Sequence, residues 1–295
     1  MNRYLTLIVT LAWCGVFGPL SAHAEDNAAK DNAAEDNAPP SDPELRPQVA
    51  GWEPMATQRE REVYELHLAV DVPVTLVAAS AALVRILFKD RLARKSCPCD
   101  PDGINALDRG TVGNQSATAS IAADTTVYGV MAALPLIDLL DLGAGHVLFE
   151  DLVVYLETIA IASALQNASN FIVARPRPRT YAGDPEFVSS GEGYLSFYAG
   201  HVSTAFATLS MAAFTMRERY GEKVWPWIVV GLLGSSVAVE RVASGHHFPT
   251  DVAVAAVVGT GIGITVPWLH RRRQEETQIQ IAPIGTSSMG LVGTF

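Results

Sequence analysis

The sequence predicts an all-α protein, a helical bundle of about six core helices that is embedded in a membrane. Its mean hydropathy is +0.20 and only 18% of its 295 residues are charged, against roughly 25% in an average soluble domain. Alanine, leucine and glycine dominate the apolar stretches, and the alternation typical of strands is rare, which favours helices. Six apolar segments, most of them near the roughly 20 residues that a membrane span needs, lie at about 68–87, 126–143, 147–168, 200–216, 224–242 and 249–269.

The overall charge excludes one class of partner. The formal net charge is −10, whereas a protein that binds nucleic acid needs a basic surface to replace counterions. We therefore expect no nucleic-acid partner. Composition alone leaves open an exported periplasmic or peripheral protein in place of a membrane-embedded bundle.

The first 51 residues predict a targeting segment and a tether. Residues 1–24 combine Arg3, an apolar core and the small-residue site Ala22-His23-Ala24, which is the pattern of a signal peptide. A membrane anchor is the alternative, but the apolar core is short for a span. Residues 25–51 repeat a short acidic unit with nothing to bury, which is typical of a disordered, solvated tether.

Beyond the predicted signal peptide, cysteine occurs only in Cys97-Pro98-Cys99. Export would place this pair in an oxidising compartment, but a bridge between residues two apart is strained. A disulfide within the pair, free thiols and an intermolecular bond therefore all stay open. No second cysteine or histidine pair at zinc spacing accompanies them, so we expect no metal site.

Residues 52–125 predict an amphipathic helix over Trp52–His67, then the first apolar segment and a polar loop. Charged residues interrupt several apolar segments, among them Arg85 in the first and acidic residues in the third. Such charges are costly in lipid and are expected to face the bundle interior, or they indicate helices that do not face lipid. These acidic residues are Glu150, Asp151 and Glu157. The run Gly259–Gly263 lies inside an apolar helix with no strand before it, which indicates close helix packing rather than a nucleotide-binding loop.

The candidate functional residues lie at the ends of predicted helices, and the first group is Arg175-Pro-Arg-Pro-Arg179. Its prolines keep the backbone extended. A rigid repeat of this kind presents guanidinium groups well to a phosphate. Arginines beside a membrane segment also mark topology, which is the alternative interpretation.

The second group, Ser196–His201, comes directly before the fourth apolar segment. Gly200 lets the backbone approach a ligand closely. The free N–H groups at the start of the following helix favour an anion at the same place. His201 is therefore positioned to donate a proton to a leaving group.

The third group runs from Arg241 to Asp251, between the last two apolar segments. Pro249 predicts a helix start, so His247 and Asp251, four residues apart, can share one face. A carboxylate there can hold one ring nitrogen of the histidine and leave the other free as a nucleophile.

Together these groups resemble the type-2 phosphatidic acid phosphatase and vanadium haloperoxidase superfamily, whose signature runs K-x6-R-P, P-S-G-H and S-R-x5-H-x3-D. The pair Arg177-Pro178 matches the end of the first motif, and Gly200-His201 matches the second. The third motif is matched at its required spacings by Arg241, His247 and Asp251. The resemblance covers roughly residues 126–270, followed by a C-terminal tail over 271–295.

The resemblance implies a phosphoric monoester hydrolase that acts on a lipid phosphate or diphosphate without a metal or other cofactor. His247 would attack phosphorus and form a phosphohistidine, Asp251 would hold it, and His201 would protonate the leaving oxygen. Such a site works mainly by positioning and charge stabilisation. The phosphate-binding residues would be Arg177, Arg241, Gly200, Asn170 and Arg175.

Four departures from the signature separate this interpretation from its alternatives. Asn170 stands at the lysine position, Tyr198 and Ala199 at the proline and serine of the second motif, and Glu240 at the serine of the third. The alternatives are a catalytically degenerate lipid-phosphate-binding or scaffold protein of the same fold, or a secreted acid phosphatase or haloperoxidase-like enzyme. Only the haloperoxidase would use vanadate. The lipid and the oligomeric state do not follow from the sequence.

The sequence also suggests an orientation in the membrane. With an exported N-terminus and six spans, Arg271–Arg273 would lie outside, against the preference of basic residues for the cytoplasm. If the segment 68–87 does not cross completely, the motif loops face the periplasm instead. We therefore predict a bacterial inner-membrane protein with its active site on the periplasmic side.

Overall fold

The computed structural model describes residues 61–97 and 99–272, together with the backbone of 279–283 and 289–293. The predicted signal peptide and acidic tether lie outside these residues. Up to residue 272, the described part is built mainly from helices. The predicted all-α bundle is confirmed.

Each of the six predicted apolar segments corresponds to one long helix. The long helices are α1 (Leu68–Leu92), α3 (Ala117–Leu142), α4 (His146–Val173), α7 (Gly200–Tyr220), α8 (Trp225–Ala243) and α9 (Pro249–Leu269). Between them lie the short helices α2 (Ala106–Arg109), α5 (Pro178–Tyr181) and α6 (Pro185–Ser189), and 3-10 turns at Pro101–Gly103 and Gly191–Tyr194. An antiparallel hairpin of β1 (Ile279–Pro283) and β2 (Met289–Gly293), which the sequence did not predict, lies within the C-terminal tail.

Local chemistry sets the helix boundaries near the motifs. Helix α4 ends at Ala174, which has a left-handed backbone (φ 49°), and the Arg-Pro repeat follows because proline cannot continue a helix. Helix α9 starts with Pro249 at its first position, where the missing N–H costs nothing. The Asp251 side chain accepts from the backbone N–H of Phe248 at 3.0 Å, which stabilises this helix start.

Helix α7 runs through the centre of the bundle and packs on α4, α8 and α9. A Cβ atom at Gly259 or Gly263 of α9 would overlap the backbone of Ser203 and Ala207 in α7. Small residues thus allow these two helices to approach closely. The predicted packing role of the Gly259–Gly263 run is confirmed.

Four helices, α1, α3, α8 and α9, are long and apolar enough to cross a membrane. In α1 and α3, only 6% of the most apolar 18-residue window is buried within the protein. Helix α4 instead carries the three acidic residues of the third segment, and all three are buried, as the sequence predicted. The exposed apolar faces of α1 and α3 are those of a membrane protein.

The predicted helix over Trp52–His67 is wrong for its described part, since residues 61–67 contain no α-helix. Tyr64 forms a β-bridge with Arg271, the N–H of Glu65 donates to the His270 carbonyl at 2.8 Å and the N–H of Arg272 donates to the Val63 carbonyl at 2.9 Å. The tertiary backbone pairing overrides the helical periodicity of this segment. Residues 52–60 lie outside the described residues.

The described chain enters the bundle at the end away from the motifs. We call the end that holds residues 174–199 and 244–248 the motif end. Arg61 lies at the opposite end, where it donates to the Asp141 carbonyl at 3.1 Å and its own carbonyl accepts from Arg219 at 2.9 Å. Helix α1 then reaches the motif end, where Asp90 accepts from the Gly191 N–H at 2.7 Å.

This path corrects the reasoning behind the predicted orientation. Residue 61 and the motif loops lie at opposite ends, because residues 61–92 run the length of the bundle. The predicted orientation assumed that the segment 68–87 does not cross completely, whereas α1 runs the length of the bundle and is a candidate membrane span.

Candidate active site

A cavity of about 300 Å³ lies at the motif end, between α1, α3, α4, α7 and α8. Its lining includes five of the eight site residues that the sequence predicted: Arg177, Gly200, His201, Arg241 and His247. A larger cavity of about 550 Å³ lies at the opposite end, but its mostly apolar lining contains none of the motif residues. The smaller cavity is therefore the candidate active site.

His247 is held in the tautomer that a nucleophile requires. Its ring is buried, and Nδ1 lies 2.7 Å from the carbonyl oxygen of Ser196. Because a carbonyl only accepts, Nδ1 carries the proton and Nε2 is left with its lone pair. Burial, and then the positive charges of Arg177 and Arg241, lower the pKa of His247 well below its ordinary value, which keeps Nε2 unprotonated.

Asp251 lies behind His247 but does not hydrogen-bond to it, because Oδ2 is 3.9 Å from Nδ1. The carboxylate instead accepts from the Ser196 hydroxyl at 2.6 Å and from Arg175 at 2.5 Å. The direct hold on His247 that the sequence predicted is thus supplied by the Ser196 carbonyl. Asp251 braces Ser196 and the start of α9, and acts on the histidine through them.

Arg175 and Asn170, both predicted to bind phosphate, do not line the cavity. Arg175 donates to Asp108 at 2.7 Å as well as to Asp251, and two buried carboxylates in contact with one guanidinium form a closed ion-pair group. Asn170 has no exposed surface, and its amide donates to the Gln166 carbonyl at 3.0 Å. Neither side chain is directed to where a phosphate could sit in this cavity.

Arg177 forms the wall next to the nucleophile. It is 3% exposed, and its NH1 lies 3.3 Å from Nε2 of His247 and donates to the His246 carbonyl at 3.0 Å. Its other donors bond to Glu192 and to the Leu195 carbonyl. Its single N–H beside His247 is therefore the one it can offer to a bound anion.

Arg241 and His201 meet at one oxygen of Asp124, a residue of α3. Oδ1 of Asp124 lies 3.1 Å from Arg241 NH1 and 2.9 Å from His201 Nε2. The buried Nε of Arg241 has no hydrogen-bond partner among the described residues. An unpartnered buried donor is rare in folded proteins and is usually explained by a functional role, a water or a bound ion.

The start of α7 adds backbone donors. Gly200 is its first residue, and the first N–H groups of a helix have no partner within it. A Cβ at Gly200 would meet the Gln166 side chain at 3.1 Å, so glycine leaves room for this side chain, which also lines the cavity. The substituted motif positions, Ala199 and Glu240, do not line the cavity.

Several residues of the site were not predicted from the sequence. Arg85 and Asn167 line the cavity from α1 and α4, and Glu192 from the turn that follows α6. Asp124 and Ser196 orient the two histidines. Ser196 lies within a motif but had no predicted role. Arg85 is a charged residue inside the first apolar segment, which indicates the bundle interior but no role in the site, and the others lie outside the signature.

Other reactive groups lie apart from the cavity. Oxygen and nitrogen atoms of Asp71, Glu157 and His270 lie within 4.8 Å of one another and could ligate a cation. Cys97 and Cys99 form a disulfide in the loop after α1, which decides between the alternatives that the sequence left open. None of these residues lines the candidate active site.

Residues 151–275, which contain all three motifs, match the family model of the PAP2 superfamily. The predicted resemblance is confirmed for this segment. The chain is also similar to the crystal structure of Aquifex aeolicus LpxE, with 21% sequence identity, coverage of 54% of this chain and 92% of that chain, and a TM-score of 0.40. No curated protein matches the chain.

Proposed function

We propose that this protein is a membrane phosphatase that hydrolyses a lipid phosphate or diphosphate through a phosphohistidine on His247. The observation that carries the proposal is the unprotonated Nε2 of this buried histidine, which lies beside Arg177 in the cavity. A neutral imidazole nitrogen with a fixed tautomer is an activated nucleophile. The match of residues 151–275 to the PAP2 superfamily supports this reaction class.

In the first step Nε2 of His247 attacks phosphorus, and the bond to the lipid oxygen breaks. Arg177, the partnerless Nε of Arg241 and the Gly200 N–H stabilise the phosphoryl oxygens, which is the main task in phosphoryl transfer. His201 gives its proton to the departing lipid oxygen. In the second step His201 takes a proton from water, whose oxygen attacks phosphorus and releases phosphate from His247.

His201 has to gain its proton together with the substrate. Burial and the positive charge of Arg241 lower its pKa to about 4 in the free protein, although Asp124 opposes this shift. A phosphate dianion in the cavity would favour the charged imidazolium. His201 therefore carries the proton of a general acid only when a substrate with a leaving group is bound.

The apolar wall of the cavity supports a lipid as the substrate. Ala82 and Ile86 of α1 face Val127 and Met131 of α3 across it, and both helices are candidate membrane spans with exposed apolar surfaces. An acyl or prenyl chain can therefore leave the cavity between apolar helices while its phosphate reaches the arginines.

The test is phosphate release by the purified protein from phosphatidate, phosphatidylglycerophosphate, a polyprenyl diphosphate and a lipid A phosphate, with glycerol phosphate as the soluble comparison. We expect His247→Asn to lower release at least about 1,000-fold, and the exposed His146→Asn to leave it unchanged. Addition of EDTA should not lower the rate, because no step uses a metal.

Phosphate release from none of the lipids, or equal release by His247→Asn, would overturn the proposal. In the first case the protein is a non-catalytic phosphate-binding relative. A preference for glycerol phosphate would replace the lipid with a soluble ester. Loss of activity in EDTA would overturn the metal-independent mechanism.

We also propose that the protein lies in a bacterial inner membrane with the motif end facing the periplasm. The Cys97–Cys99 disulfide lies at this end, and disulfides persist in oxidising compartments. Basic residues at the opposite end favour the cytoplasm for that end; they include Arg61, Arg217, Arg219, Lys223, Arg271 and Arg272. One basic group counts against this placement, because it lies at the motif end; it consists of Lys89, Arg91, Arg94 and Lys95. This placement puts residue 61 in the cytoplasm.

Single cysteines introduced at Glu186, in α6 at the motif end, and at Lys223, at the opposite end, test this orientation. Both positions are exposed. In intact spheroplasts of a Cys14→Ser background, an impermeant thiol reagent should label the Glu186→Cys protein and not the Lys223→Cys protein. The reverse result would place the catalytic end in the cytoplasm.

A further inference from the structure

Arg85 of helix α1 reaches the candidate active site from outside the segment that matches the PAP2 superfamily. We propose that Arg85 binds the phosphate oxygens of the substrate and replaces the cation that the first motif lacks in this chain. The inference rests on the proposed function, because it assumes that the cavity takes a phosphate. It adds α1 to the substrate-binding machinery.

Asn170 cannot replace the missing cation of the first motif. The signature has lysine there, but the asparagine is fully buried and is engaged with the Gln166 carbonyl. It does not line the cavity. A phosphate site built on Arg177 and Arg241 alone would therefore lack one of its charged donors.

Arg85 lies next to the existing phosphate clamp. Its NH2 donates to Oε1 of Glu192 at 2.7 Å, and NH2 of Arg177 contacts the same oxygen atom. Two guanidinium groups therefore flank a single carboxylate oxygen. The outer one belongs to α1, while the inner one also contacts Nε2 of His247.

The two arginines differ in how many of their N–H groups remain free to bind an anion. Arg177 spends its N–H groups on three backbone carbonyls, Glu192 and His247. Among the described residues, Arg85 bonds to Glu192 and, at 3.5 Å, to Oδ1 of Asn167. An arginine has five N–H donors, so Arg85 keeps more of them available for an anion, and it is 19% exposed beside the cavity.

Glu192 occupies the place of an anion in the free protein. Three cations contact its carboxylate, namely Arg85, Arg177 and Lys89. One negative charge does not neutralise three positive ones, so the group keeps an attraction for a dianionic phosphate. When the phosphate arrives, Arg85 can shift donors to it while Glu192 continues to hold Arg177.

The experiment compares inorganic phosphate binding and lipid-phosphate turnover in Arg85→Gln, Arg85→Lys and Arg91→Gln. Arg91 is the matched control, since it lies on the same helix, is exposed and does not line the cavity. We expect Arg85→Gln to raise the Kd for inorganic phosphate, measured by titration calorimetry, about 10- to 100-fold. We expect kcat/KM for the lipid to fall by a similar factor. Arg85→Lys should recover part of both losses, and Arg91→Gln should match the wild type.

An unchanged phosphate Kd in Arg85→Gln would overturn the inference, even if turnover fell, because the residue would then act only on structure. An equal loss in Arg91→Gln would overturn it as well. The binding measurement does not need catalysis, so it separates this inference from the proposed function. That function fails if the wild type and His247→Asn release phosphate equally, whatever Arg85 does.

Discussion

Arg219 at the opposite end of the bundle and Arg241 at the motif end are both buried arginines that face an aspartate of a neighbouring helix. Arg219 makes a two-pronged contact with buried Asp151, at 2.9 and 2.7 Å, and also bonds to the Arg61 carbonyl. Arg241 makes one bond to the half-exposed Asp124 and leaves Nε without a partner among the described residues. Among the described residues, the first arrangement has no buried arginine donor without a partner, while the second has one.

The difference separates two uses of buried charge. A saturated pair such as Arg219–Asp151 holds helices α7 and α4 in register, and it offers nothing to a ligand. An arginine with an open donor beside a cavity costs folding free energy, and the cost is offset only when a ligand binds. Three variants and one change of pH test this contrast.

Arg219→Gln should have the largest effect on stability. Removing one partner of a buried ion pair leaves Asp151 uncompensated, which costs about 3–5 kcal/mol. We expect a lower Tm in detergent, with kcat of the folded fraction near that of the wild type. A stable variant that has lost its turnover would contradict the structural assignment of this pair.

Arg241→Gln should show the opposite pattern. The loss of a charged donor to the phosphate is worth about 1.5–3 kcal/mol, so kcat/KM should fall about 10- to 150-fold. The Tm should stay close to that of the wild type, because part of the arginine is unpartnered in the free protein. A large drop in Tm with unchanged kcat/KM would make Arg241 another structural arginine.

Acidification should destabilise the motif end through His247. Its pKa is well below the ordinary value in the folded state, while the unfolded chain takes up a proton near pH 6.5. Unfolding is therefore favoured as the pH falls below about 6.5, by up to about 2 kcal/mol at pH 5 relative to pH 7. The Tm of His247→Gln should fall less over this range than that of the wild type. An equal fall in both proteins would assign the pH dependence to other groups.

Ala199→Ser should give the smallest effect, an increase in stability. Ala199 is the N-cap of α7 and provides no side-chain acceptor for the first turn. A serine oxygen there can accept from a free backbone N–H, which is worth about 1 kcal/mol. We expect a higher Tm for Ala199→Ser. The Tm of Ala199→Gly, which lacks the hydroxyl, should not rise by a comparable amount. A lower Tm in the serine variant would mean that the buried hydroxyl finds no partner.

The sequence predicted the long helices well because each depends on an apolar stretch that is visible locally. It located five residues of the cavity for a related reason, since Arg177, Gly200, His201, Arg241 and His247 sit at fixed spacings around helix ends. Spacing along the chain does not give side-chain direction. Asn170 occupies a motif position, yet it lies on the side of α4 that faces the protein interior and not the cavity.

The remaining site residues could not be predicted because they meet the motifs only through tertiary packing. Arg85 is 107 residues from Glu192, and Asp124 is 117 residues from Arg241. The helix expected over Trp52–His67 failed for the same kind of reason, since Tyr64 finds its backbone partner near Arg271. Long-range pairing of this sort leaves no periodicity in the local sequence.

The bridge between Tyr64 and Arg271 has a practical consequence for handling the protein. It brings the first and last parts of the described helical bundle side by side, at the face away from the cavity. An affinity tag or a surface linker fused next to residue 61 or residue 272 would therefore be attached at the face away from the cavity. For the same reason a circular permutation that joins these two parts by a short linker needs to bridge only neighbouring backbone, and new termini could open in the exposed turn around Gly221–Lys223.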